Sequence, residues 1–159
     1  MSNIFNIELE KQLKLIASFL ENDIREILLK KGHNASGELN RSIENVVKQG
    51  SNMFTIEGLM AEQGKFIING RDKGLKGVPI DALVKWIEQK NFASAVNKKR
   101  NLAFAIQKSI KQKGIKPDDF ISEVFERRAD RINNKIGKAV EEALDVSLTN
   151  LINKAKKFT

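Results

Sequence analysis

The chain has 159 residues, 28 Lys and Arg against 20 Asp and Glu, a net charge of +8, and 41% hydrophobic residues. That length suits one domain, with room for an extended appendage, and the apolar share is enough for a core. The absence of cysteine excludes disulfide frameworks, thiol catalysis and sulfur-ligated zinc, while the lack of a signal-like start or a bilayer-length apolar run predicts a soluble protein made in a cytoplasm.

The charge is unevenly distributed. Lys90, Lys98, Lys99, Arg100, Lys108, Lys111, Lys113 and Lys116 follow one another with no acid between them, and the remaining basic residues are balanced by the acids. Such a block marks either a surface that meets something negative or a solvated face.

In chain order, the spacing predicts a helix over Asn3–Lys31. Leu9, Leu13, Ile16, Leu20, Ile24 and Ile27 recur at steps of four and three. Phe5, Leu15, Phe19 and Leu28 widen that stripe, and Gly32 is its stop signal. A polar loop follows. Ser42–Lys48 and Phe54–Met60 have strand patterns, separated by the turn signal Gly50-Ser51-Asn52. A third strand is expected at Lys65–Asn69.

The stretch from Gly70 to Trp86 joins a glycine-studded basic loop to a short helix. Gly70, Gly74 and Gly77 alternate with Arg71, Lys73 and Lys76; Pro79 then opens a helix to about Lys90, which carries the only tryptophan. The loop lacks the GxxxxGK[ST] spacing of a phosphate cradle, so its glycines suit conformity to a neighbouring subunit. Trp86 suits a core or interface anchor. A helix over Lys98–Lys113 places Leu102, Ile106 and Ile110 on one side and Phe104 on the other, among Arg100, Lys108 and Lys111. Phe104 is expected to pack on an adjacent protomer, with stacking on single-stranded bases as the alternative.

Pro117-Asp118-Asp119 opens the last helix, its acids near the positive N-terminal end. Unbroken to Lys156, that helix would measure about 60 Å; a compact globule of this length is only about 40 Å across. Its stripe also drifts, from Phe125, Ile132, Ile136 and Val140 to Leu144, Leu148, Leu151 and Ala155. The helix is therefore expected to kink, to break near Asp145–Ser147, or to reach another molecule. The fold class is α+β: a long N-terminal helix, an antiparallel sheet of two to three strands, two shorter helices and a long C-terminal helix. Residues 1–116 form the α+β domain and 117–159 a helical extension.

Ser36-Gly37-Glu38-Leu39-Asn40-Arg41-Ser42-Ile43 resembles the TG-x-L-x-x-SI segment of tailed-bacteriophage head–tail joining and tail-completion proteins. That family continues with GR-x-x-G, P-x-x-x-L-x-x-W and lAfaI…kGi-x-P-x-x-F. Here Gly70-Arg71-Asp72-Lys73-Gly74, Pro79…Leu83…Trp86, Leu102-Ala103-Phe104-Ala105-Ile106 and Gly114-Ile115-Lys116-Pro117…Phe120 stand in the same order. The similarity spans residues 36–120, about half the chain.

The resemblance implies a non-catalytic virion protein, made in the host bacterium, which forms a homo-oligomeric ring in the phage neck between portal and tail. It implies no cofactor, no metal and no membrane. The expected ring or subunit contacts are Gly70, Arg71, Lys73, Gly74, Trp86, Phe104, Leu144, Leu148 and Leu151. The expected DNA-facing residues are Lys98, Lys99, Arg100, Lys108 and Lys111, in non-specific contact with packaged DNA. The alternative is a cytoplasmic nucleic-acid-binding protein using residues 98–116. An enzyme lacks a constellation: His33 is the only histidine and suits a hydrogen-bonded or solvated loop position, Asp118 and Asp119 suit a helix N-cap, and Glu141 and Glu142 suit a solvated face.

Overall fold

The computed structural model describes residues 2–33, 36–51, 53–93 and 95–156. Among these are six helices and one hairpin: α1 (Ser2–Lys30), α2 (Glu38–Ser42), β1 (Glu44–Gln49), β2 (Phe54–Leu59), α3 (Gln63–Asn69), α4 (Ile80–Gln89), α5 (Val96–Lys113) and α6 (Phe120–Ala155). The fold class is the expected one, with long helices at both ends and a two-stranded antiparallel sheet. The third strand is not formed. Lys65–Asn69 belongs to α3, where Gly64, Ile67 and Ile68 turn inward at helical spacing and Phe66 stays exposed. Short apolar runs carry both periods, and here the helical one prevails.

The chain divides into two compact units. The first contains residues 1–24, 44–59 and 122–159. In it Leu13, Ile16 and Leu20 of α1 bury against Ala139 of α6, with Val47, Phe54 and Ile56 of the hairpin beside them. The hairpin register pairs Val47 with Ile56 and Gln49 with Phe54, and Lys48 meets Glu57 across the strands at 2.6 Å. A two-stranded ribbon is marginal alone and needs such a platform. Asn45 fastens it further, donating to the Ala17 carbonyl at 3.0 Å.

The contacts between α1 and α6 ascend one helix while descending the other. Asp23 meets Arg128, Phe19 lies under Arg131 and Lys135, and Leu13 meets Ala139, so the two run antiparallel. Leu15, expected to widen the α1 stripe, is exposed. On α6 the inward face is Val124, Ala139, Ala143 and Ser147. The helix is continuous through Asp145–Ser147. Small residues suffice for its inward face, and the larger Leu144, Leu148 and Leu151 lie outside it, 46%, 55% and 47% exposed.

The second unit holds residues 25–43 and 60–121. Its core joins α4 to α5 through Leu83, Ile87 and Ala103, with Val78, Val84, Leu102 and Ile106 around them. α1 closes as its glycine requires: Gly32, at φ 73, donates to the Leu29 carbonyl and His33 to the Leu28 carbonyl. Asn91, at φ 54, does the same for α4, with Phe92 donating to Ile87.

Two segments cross at Gly70 and Gly114. Arg71 and Ile115 exchange a pair of backbone hydrogen bonds, each 2.8 Å. Gly70 has φ 66, and a Cβ there would stand 2.4 Å from the Ile115 carbonyl oxygen; a Cβ at Gly114, φ 74, would stand 2.4 Å from that of Arg71. Neither position admits a side chain. Gly70→Ala should cost about 2 kcal/mol or more, from left-handed strain plus the broken bridge. Gly137→Ala, on an open face of α6 with nothing within 4 Å, should instead add roughly 0.5–1 kcal/mol through helix propensity. Urea unfolding of the two variants checks this; equal effects would contradict the crossing.

Candidate functional site

The segments that carry the family resemblance outside the hairpin lie together in the second unit. Leu39 and Ile43 of the first motif are buried, as are Leu83, Ala103 and Phe120 of the later ones. The bridge between Arg71 and Ile115 joins the glycine-loop motif to the segment that precedes α6. Asp118 continues the junction, its amide donating to the Ile67 carbonyl at 2.9 Å.

This gives the basic glycine loop an intramolecular role. Gly70 serves the crossing, Gly74 donates to the Lys111 carbonyl at 2.8 Å, and the Arg71 guanidinium returns to the Lys76 carbonyl. Gly77 packs against Gln107, which donates to the Val78 carbonyl at 2.7 Å. These glycines thus answer to the chain's own packing. The exposed part of the loop is Asp72, Lys73, Gly74, Leu75 and Lys76.

The five cations expected to face DNA lie on α5 but not on one face. Arg100, Phe104, Lys108 and Lys111 recur at steps of four, four and three, and all four are exposed, Phe104 by 50%. Lys98 is exposed on the flank. Lys99 points the other way, toward α4, where its ammonium meets Glu88 at 3.0 Å with only 18% of the side chain exposed. It shares a face with Ala103 and Ile106, which seat α5 in the core, so it is withdrawn from the basic surface.

Trp86 sits at the rim of the α4 core, 36% exposed, with Phe92 edge-on at 5.3 Å. Its free side borders an open pocket of about 490 Å³ with Lys85, Gln89, Gln63 and His33 on its walls. In the first unit an open apolar pocket of about 630 Å³ lies among Phe5, Leu9, Met53, Phe54, Ile136 and Val140.

Three features had no local signal. His33 Nε2 donates to Asp118 Oδ2 at 2.8 Å, and Lys31 Nζ to Asp118 Oδ1 at 2.6 Å, from 85 and 87 positions away. Arg131 and Lys135 stand 4.4 and 5.0 Å from the Phe19 ring centre. Arg128 pairs with Asp23 at 3.1 Å. Asp118 is thus a staple for the end of α1, and His33 is a hydrogen-bonded loop histidine. Among the described residues no cluster of three or more His, Asp or Glu is arranged to hold a metal ion, and no helix is long and apolar enough to cross a membrane.

The Asp118 carboxyl is held below its ordinary range, first by the His33 hydrogen bond and then by that of Lys31. A depressed folded-state value means the contribution is present above the unfolded value of about 3.9 and is lost as pH falls through the lower folded one. Asp118→Ala should therefore cost about 1 kcal/mol or less at neutral pH, since the pair is partly exposed. The deficit relative to wild type should shrink as the pH falls below about 4. Urea unfolding across that range checks it; a deficit constant with pH would contradict the staple.

No family model matches the chain, and no curated protein or solved structure matches it.

Proposed function

We propose that this chain is a structural component of a tailed-phage neck, assembling into a ring that adapts the portal to the tail. The observation that carries the reading is the outward leucine face of α6. Leu144, Leu148 and Leu151 are each about half exposed on a helix whose buried face is formed by Ala139, Ala143 and Ser147. Fully burying a leucine is worth about 1.5–3 kcal/mol, so three half-exposed ones on adjoining turns leave a substantial drive toward association.

The ordered motifs of residues 36–120 support the same reading. Their apolar members supply the buried Leu39, Ile43, Leu83, Ala103 and Phe120, while the exposed part of the loop, Lys73 included, is free to meet a neighbour. In this reading Trp86 and the α6 leucines contact adjacent protomers or the portal and tail proteins. Lys98, Arg100, Lys108 and Lys111 lie toward packaged DNA, which they touch without sequence preference. The protein acts by shape and contact, with no cofactor, and its place is the virion.

A free nucleic-acid-binding protein is the second reading, favoured by the exposed cations of α5 alone. The leucine face separates the two. Replacing Leu144, Leu148 and Leu151 together by Gln, a good helix former, should leave helicity unchanged and stability within about 1 kcal/mol, as for exposed substitutions elsewhere. It should abolish the concentration-dependent oligomer that light scattering is expected to detect for the wild type. Unchanged assembly of the triple variant would contradict the adaptor reading.

A further inference from the structure

The outer face of α5 combines features that the core does not account for. Arg100, Phe104, Lys108 and Lys111 form one exposed line, so Phe104 has a cation about 6 Å along the helix on either side. From Lys90 to Lys116 no acid dilutes the charge. Lys99, whose ammonium meets the Glu88 carboxylate, is turned to the opposite side. An aromatic ring left half exposed within such a line suits a surface both anionic and flat.

A second copy of this face does not fit: like charges would oppose, and cores of protein interfaces are depleted of charge. Duplex DNA offers the charge but hides the faces of its bases within the stack. An extended single strand offers both, with phosphates for the cations and an unstacked base for the ring.

We propose that the outer face of α5 binds single-stranded nucleic acid, with Phe104 as the stacking platform and Arg100, Lys108 and Lys111 as phosphate contacts. The proposal rests on the reading of this face as the one turned toward nucleic acid, and it specifies the strand form. Binding is independent of sequence, because every base has a π-face and no side chain on this face is committed to a base edge. Three engaged cations give a salt slope of about −2 on a single strand.

The test is fluorescence anisotropy of the full chain with a labelled oligothymidylate of about twenty nucleotides and with a duplex of equal length, each across a salt series. The single strand should bind more tightly than the duplex. Phe104→Leu keeps an apolar side chain of similar size but removes the ring. It should weaken single-strand binding roughly five-fold or more and leave the duplex unaffected. Lys108→Gln with Lys111→Gln should weaken both and reduce the single-strand salt slope by about 1.4. Wild-type single-strand affinity in Phe104→Leu, or tighter binding of the duplex, would overturn the stacking surface while leaving a charged DNA-facing wall in place. Binding of neither nucleic acid would overturn both. A polyglutamate peptide bound as tightly as the single strand would overturn the proposal in favour of an acidic protein partner.

Discussion

Two backbones meet at Gly70 and Gly114 more closely than any side chain allows, and the organisation of the second unit depends on that approach. The paired hydrogen bonds between Arg71 and Ile115 fix where α3 ends and where α5 gives way to the segment leading into α6. Gly74 binds the loop to the last turn of α5 through the Lys111 carbonyl, and Asp118 adds a backbone bond to α3 and two side-chain bonds to the end of α1. Phe120, fully buried, opens α6 directly after this junction. Four widely separated segments of chain are thereby held together by a few short-range polar contacts, which explains why glycine stands at two positions where the main chain takes left-handed angles.

The same constraint sorts the surface of α5. With its inner face committed to Leu83 and Ile87 through Ala103 and Ile106, the helix can present only its opposite side. Arg100, Phe104, Lys108 and Lys111 occupy that side, and the Glu88 carboxylate draws Lys99 away from it. On α6 the division has another origin. Ala139 packs against α1 and the buried Ala143 and Ser147 continue that face, so the bulkier leucines project outward and carry the apolar surface that the unit leaves uncovered.

Much of this was legible from local pattern. The α1 stripe from Leu13 to Ile27, the hairpin with its turn after Gln49, the glycine stops at Gly32 and Gly114 and the two-sided α5 all follow from period and punctuation. The segment Lys65–Asn69 was ambiguous for a physical reason: five residues span little more than one helical turn, too short for either period to stand out. Leu15 lay beside the stripe but outside its buried sector. The pairings of Asp118 with His33 and Lys31 join residues more than eighty positions apart, so no window along the chain could contain both members. Lys99 was grouped with its neighbours by charge; only the position of Glu88 on α4 separates it from them.

The central claim is that the uncovered α6 face makes this chain an assembling component and not a solitary binder. Electron-microscope images of the purified, untagged protein at high concentration test it most directly. The account predicts closed rings of uniform rotational symmetry with a central opening. Single compact particles at every concentration, or open filaments of indefinite length, would contradict it.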